Sequence, residues 1–175
     1  MGNEYRVEAI TSAPIFYFRD AADRKRLAEW RDDLKKLGTA LVFTNGVFDI
    51  LHAGHAGYLM EARNVGGALI IGLNSDASVR AIKGPNRPIQ QEADRALLLA
   101  SLRSTDAVVI FDEETPLELI RFVLPDILIK GADYSRDTIV GADDVEANSG
   151  RVQTIPLAEG RSTSGIVEKI LERYR

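Results

Sequence analysis

The 175-residue sequence predicts an α/β fold, with a parallel five-stranded sheet flanked by helices and an extra helix ahead of it. Three observations point there. From Thr39 onward, short apolar and β-branched runs (LVF, LIIG, VVIF, ILI) recur between segments of helical period. These runs lack the polar alternation of a half-exposed strand, as expected when helices cover both faces of a sheet. Regular strand–helix alternation is the pattern of βαβ units, which require parallel pairing.

The elements follow in order. Residues 1–19 show no clear period, and Pro14 with Ile15, Phe16, Tyr17 and Phe18 reads as an extended arm that packs on something, either the chain's own core or a second copy in a homo-oligomer, a dimer or larger. Asp20 to Leu37 reads as an amphipathic helix, with Leu27, Trp30, Leu34 and Leu37 on one face and Gly38 as its stop. Residues 1–38 are therefore expected as an arm and helix attached to a domain of residues 39–175, together one globular unit. Strands are expected near 39–45, 68–73, 106–111, 126–130 and 152–156. Helices are expected near 55–65, 75–82, 91–103, 115–123 and 141–147, with a last one over 163–174.

Composition narrows the function. A formal charge of −4 opposes binding of a polyanion, so no nucleic-acid partner is expected, although a local basic pocket for a small phosphate is allowed. There is no cysteine, which removes disulfides, thiolate nucleophiles and thiolate metal sites. The longest apolar runs are too short for a bilayer, and MGNEYR carries Glu4 and no apolar stretch. A soluble, cytoplasmic protein without a membrane partner is expected.

Parallel sheets bind ligands beyond the carboxyl ends of their strands. After the first strand that rule collects Asn45, Gly46, Phe48, Asp49, His52, Gly54 and His55; after the second, Asn74, Ser75 and Asp76. After the fourth come Lys130, Gly131 and Asp133, and after the fifth Arg161, Ser162, Thr163 and Ser164. The loop KGPNRP adds Lys83 and Arg87. The stretch TNGVFDILHAGH holds both histidines of the chain beside Gly54 at a helix start, where free N–H groups and imidazole donors can meet phosphate oxygens. Metal ligation by His52 and His55 would need carboxylates to complete it, and a purely structural role for the pair is the other alternative. The STS run at 162–164 opens the last helix, as a plain N-cap or as a second phosphate cradle. No GxxxxGK[ST], GxGxxG or GxSxG occurs at the positions that would give a P-loop, a dinucleotide site or a serine hydrolase.

GVFDILHAGH resembles the GxFDxxHxGH signature of the cytidylyltransferase-like nucleotidyltransferases, and RSTSGIVEKI lies where that family carries its second, STT-like signature. The resemblance covers about residues 39–172 and implies a Rossmann-like HxGH nucleotidyltransferase fold. Within the family, NSDASVRAIKGPNRPI and TPLELIRFVLPDILIKGADY are similar to the adenylyltransferase domain of ADP-heptose synthases. Ser164 stands where a threonine is common, and Gly165 follows it.

That resemblance implies an adenylyltransferase using ATP, Mg²⁺ and a sugar 1-phosphate, D-glycero-β-D-manno-heptose 1-phosphate, in lipopolysaccharide core biosynthesis. It implies His52, His55 and Lys83 as catalytic. Asn45, Gly46, Phe48, Gly54, Lys130, Gly131, Ser162, Thr163 and Ser164 would bind nucleotide. Asp49, Asn74, Asp76, Arg87 and Asp133 would bind sugar phosphate, and no protein side chain is expected as a metal ligand. A cytidylyltransferase for glycerol 3-phosphate or another phospho-alcohol, and a non-catalytic nucleotide-binding module, are the competing readings.

Overall fold

A computed structural model describes residues 12–156, 158 and 160–174; residues 1–11 of the expected arm lie outside it. The sheet has six parallel strands among the described residues, not the expected five. The added strand is β1 (Ile15–Tyr17), whose Ile15, Phe16 and Tyr17 pair with Val108, Val109 and Ile110. Three residues carry too little period to announce a strand. The pairing depends on an edge that exists only once the distant partner has folded.

The helix α1 (Ala21–Lys36) follows. Asp20 caps it, its side chain accepting from the Asp23 amide at 2.9 Å, and Lys35 and Lys36 lie at the negative end of the dipole. Leu27 is fully buried, with Trp30 and Leu34 packed on the same cluster. Leu37, expected on that stripe, is 76% exposed because the helix has ended before it. Phe16 and Phe18 of the arm are buried in that cluster too, so the chain's own core accounts for them.

The remaining elements are β2 (Leu41–Gly46), α2 (Ala53–Asn64), β3 (Ala68–Asn74), α3 (Asp76–Lys83), α4 (Glu92–Ala100), β4 (Ala107–Phe111), α5 (Leu117–Val123), β5 (Ile127–Gly131), α6 (Ala142–Ala147), β6 (Arg151–Ile155) and α7 (Thr163–Tyr174), with a 3₁₀ turn at Arg136–Thr138. The order across the sheet is β1-β4-β3-β2-β5-β6. Alternate residues of each strand feed opposite layers. Leu41, Phe43, Ile70, Val109 and Leu128 pack with Leu27, Ile120 and Val145 on the α1, α5, α6 side. Val42, Leu69, Ile71, Val108 and Ile129 pack with Leu59, Ala96 and Leu99 on the α2, α4 side. A Cβ on Gly67 would lie 1.8 Å from the Ala40 carbonyl oxygen, and its φ is +90°, so the turn into β3 accepts only glycine.

From β2 the chain builds outward through β3 and β4, then crosses to β5 and β6 on the other side. The carboxyl ends of β2 and β5 therefore flank a topological switch point, where an open parallel sheet leaves a crevice.

Candidate active site

The turn leaving β2 is built to hold two imidazoles at the start of α2. His52 is the N-cap, its Nδ1 accepting from the His55 amide at 3.3 Å. A neutral ring whose Nδ1 accepts carries its proton on Nε2, which makes Nε2 a donor. The two rings stack, with centroids 3.8 Å apart and planes 16° from parallel, and Phe48 meets His55 edge-on at 5.1 Å. Phe48 sits at φ 46°, a strained conformation for a buried phenylalanine, held by this packing. Burial, and then the neighbouring charge of His52, push the His55 imidazole down to about 4, against a weak opposing pull from the Ile50 carbonyl. His55 Nδ1 is buried without a hydrogen-bond partner among the described residues. His52 is lowered by burial and then by the charge of Arg161. Both shifts favour the neutral form near neutral pH, and His52 then presents Nε2–H as a donor.

Gly54 lets a second helix start approach this one. A Cβ there would lie 2.9 Å from the Arg161 Cβ and 3.0 Å from the His52 ring. Arg161 leads into α7, where Ser162 Oγ accepts from the Gly165 amide at 3.0 Å in the manner of an N-cap. Two helix N-termini thus face one crevice, each with unpaired N–H groups and a positive dipole end.

Across the switch point, Lys130 at the end of β5 donates to Asn45 Oδ1 at 2.5 Å and lies 5.4 Å from the Tyr134 ring centroid. Burial lowers this lysine to about 8, with Asp133 acting in the opposite direction. Thr44 and Tyr58 share a 2.8 Å hydrogen bond beneath the turn.

Asp49 holds a loop. Its carboxylate, 4% exposed, takes Arg87 Nη1 at 2.7 Å and the amides of Ile89 and Gln90 at 2.7 and 3.1 Å. Burial alone would raise its pKa, but Arg87 and the two amides together hold it below the ordinary carboxylate value. The KGPNRP loop is in this way tied down beside the histidines.

Arg95, which sequence reasoning missed, organises the cleft from beneath. Fully buried on α4, it donates from Nη1 to the Val47 and Asn74 carbonyls at 2.7 and 2.9 Å, from Nε to the Gln90 carbonyl at 3.0 Å, and from Nη2 to Asp76 at 2.7 Å. One guanidinium thus joins the ends of β2 and β3, the start of α3 and the 84–90 loop. The available signal was an arginine beside Ala96 and Leu99 on the apolar side of a helix, where a charge is tolerated only if fully paired.

Phe48, Asp49, both histidines, Gly54, Lys130, Arg161 and Ser162 line one cleft of about 860 Å³, with Arg95 and Thr44 buried beneath it. Every residue expected there from sequence lines it except Ser75, fully buried as the cap of α3, and Asp76, whose carboxylate is taken by Arg95. The cleft also takes in Tyr58, Ile82, Thr115, Tyr134 and Thr138. Lys83, the last residue of α3, is exposed at its rim.

A sequence model of the family described as Cytidylyltransferase-like matches residues 43–167, from within β2 into α7. The chain belongs to the cytidylyltransferase-like family. Family membership accords with two helix starts facing a switch-point cleft. Among relatives, the bifunctional protein HldE of Syntrophotalea carbinolica is 50% identical over 167 residues, 95% of this chain and 34% of that protein. The HldE of Mesorhizobium japonicum is 53% identical over 152 residues, 86% of this chain and 30% of its own. The chain thus spans about a third of the length of these curated relatives. A solved structure described as a lipopolysaccharide core biosynthesis protein from Thermoplasma volcanium matches with a TM-score of 0.59 and 27% identity, over 71% of this chain and all of that one. A pantoate-beta-alanine ligase from Francisella tularensis, TM-score 0.58 and 14% identical over 87% of this chain and 69% of its own, shares the Rossmann-like α/β fold. Among the described residues no helix is long and apolar enough to cross a membrane.

Proposed function

We propose that this chain is an adenylyltransferase that joins ATP to D-glycero-β-D-manno-heptose 1-phosphate, giving ADP-heptose and pyrophosphate for lipopolysaccharide core assembly. The observation that carries this reading is the pair of stacked histidines on one helix start, facing a second helix start across the cleft. The description of the Thermoplasma structure as a lipopolysaccharide core biosynthesis protein supports the choice of pathway. The cytoplasm is the expected location, with residues 39–175 as the catalytic domain and 1–38 as its N-terminal attachment.

The sugar phosphate is already a nucleophile, so the protein need only bring two anions together and stabilise developing charge. A phosphate oxygen of the acceptor would attack the α-phosphorus of ATP. The bond from that phosphorus to the oxygen bridging the β-phosphate would break, its electron pair leaving on pyrophosphate. His52 and His55 would donate to α- and β-phosphate oxygens, and Ser162, Thr163 and Ser164 would hold the β- and γ-phosphates. Asn45, Gly46, Phe48, Gly54, Lys130 and Gly131 would form the remaining nucleotide wall. Lys83 would neutralise oxygens shared by donor and acceptor, while Arg87, Asn74 and Asp133 would face the sugar phosphate. Asp49 and Asp76 would act on that side indirectly, through Arg87 and Arg95.

Among the described residues no group of three or more metal-binding side chains stands together. Mg²⁺ would accordingly be held mainly by triphosphate oxygens, where it would neutralise phosphate charge.

The test is pyrophosphate release with ATP or CTP and a panel of acceptor phosphates. Release with ATP and heptose 1-phosphate is expected. Release only with CTP would identify a cytidylyltransferase, and tight ATP binding without release for any acceptor would identify a non-catalytic module. Lys83→Ala should lower turnover roughly tenfold or more, as for loss of one preorganised charge, without lowering the melting temperature.

A further inference from the structure

We propose that Glu92 is a positioning residue that ties the N-terminal strand β1 to the catalytic cleft by fixing the start of α3, the helix that ends in Lys83. The proposal rests on the adenylyltransferase reading for its effect on turnover, while its structural half stands on geometry alone.

Glu92 lies in the first turn of α4, where an acidic side chain ordinarily serves its own helix. Here Oε2 instead accepts from the Asp76 amide at 2.9 Å. Asp76 is the first residue of α3, and its N–H is one of the donors that a helix start leaves without an internal partner. Glu92 thus caps a neighbouring helix from outside, while Ser75 caps the amide two residues further on, that of Ser78, at 3.2 Å. The other oxygen, Oε1, accepts from Arg19 Nη2 at 2.9 Å, and Arg19 Nη1 reaches Asp112 at 3.0 Å. Arg19 follows β1 and Asp112 follows β4, so this fork sits where those paired strands end.

The network continues inward without a gap. The Asp76 carboxylate takes Arg95 Nη2 at 2.7 Å, and Arg95 holds the Val47 and Asn74 carbonyls at the cleft wall. Arg19 is half-exposed, so its ion pairs add little to stability. Their consequence is directional: the start of α3 is fixed from two sides, and an eight-residue helix transmits that placement to Lys83 at its far end. Residues 12–42 precede the segment that the family model matches, so this chain supplies from outside that segment one anchor of a cleft within it.

The experiment compares Glu92→Ala, Arg19→Ala and Arg19→Lys, each alone and on a Lys83→Ala background, by pyrophosphate-release kinetics, melting temperature and amide hydrogen exchange. Glu92→Ala should lower kcat about fivefold with KM changed less than about twofold, the signature of a misplaced group rather than lost binding. Arg19→Ala should lower it about twofold to threefold, and Arg19→Lys should recover most of the loss. On the Lys83→Ala background the Glu92→Ala effect should nearly vanish, since both changes act through one group. Amides in the first turn of α3 should exchange several-fold faster in Glu92→Ala.

Unchanged exchange in α3 overturns the proposal whatever the kinetics show. So does a full fivefold loss persisting without Lys83, or a loss of kcat that tracks a fall in melting temperature. If the wild-type protein releases no pyrophosphate with any nucleotide, the adenylyltransferase reading fails. The exchange measurement then decides by itself whether Glu92 fixes α3.

Discussion

The two helix starts that face the cleft are held in opposite ways. At α2, the imidazoles are stacked on each other, wedged by Phe48, and supported beneath by the Thr44–Tyr58 hydrogen bond. The adjoining loop is latched by Asp49 and the strand ends are gathered by Arg95. At α7, none of the residues described is buried, and Ile170, Leu171 and Tyr174 are exposed. Placement there rests on the Ser162 cap and on the close approach of Arg161 to Gly54. One wall is preorganised by the core, and the other is carried on a helix that the core hardly touches. On the proposed adenylyltransferase reading, a reaction that must both bind a triphosphate and release pyrophosphate would be served by this asymmetry. Core-held donors at the reacting phosphorus would lower the barrier, and a less buried wall at the leaving group would let product go.

Four measurements break or sharpen that contrast. The largest effect is expected from His55→Ala, which removes a donor from the rigid wall: turnover should fall about 10²-fold or more, with cooperative unfolding retained in a thermal melt. A folded variant with wild-type turnover would remove His55 from the mechanism. Gly54→Ala tests the junction between the walls. Its new methyl would meet Arg161 at 2.9 Å, so Arg161 and the start of α7 must retreat. A displacement of this kind should lower kcat/KM for ATP roughly tenfold to thirtyfold, with most of the change in KM.

Ser162→Ala should be milder, because it loosens a wall already loose. Removing an N-cap weakens its helix by about 1 kcal/mol, but with no buried residue on α7 the melting temperature of the whole chain should hardly move. KM for ATP should rise about threefold to fivefold, as for one lost hydroxyl contact; a drop in melting temperature instead would show α7 to be part of the cooperative core. The smallest effect is on stability against pH. His55 is lowered in the folded state to about 4, below the roughly 6.5 of an unfolded histidine. Between those values the unfolded chain binds more protons, so stability should fall as pH drops from about 6.5 to about 4 and lose no more to this group below that. In His55→Gln that part of the pH dependence should be missing from denaturant titrations.

The elements that could be read from sequence were those with a local period. The expected helix over 163–174 and the strands near 68–73 and 126–130 lie within a residue of α7, β3 and β5, because buried parallel strands and amphipathic helices state their burial in adjacent residues. The gathering of Asn45, His52, His55, Lys83, Lys130 and Ser162 was also legible, through the rule that parallel strands present their carboxyl ends to ligand. What escaped were relations across long stretches of chain. β1 needed the edge of β4, ninety-three residues separate Arg19 from Asp112, and Asp76 was expected at the sugar phosphate before Arg95 was seen to hold it.

The stretch TNGVFDILHAGH by itself determined a turn that gathers two histidines at a helix start, because strand, glycine and histidine are there joined by covalent proximity. Composition removed thiol chemistry, because the chain has no cysteine, and its net negative charge gave the expectation that no polyanion binds. The tertiary structure alone decided that burial lowers both histidines, since desolvation depends on what packs over a ring. It alone decided that Asp49 and Asp76 are each held by an arginine, and that the two walls of the cleft differ in burial. Those are properties of buried charge and of contact between distant segments, and neither exists until the chain has closed around them.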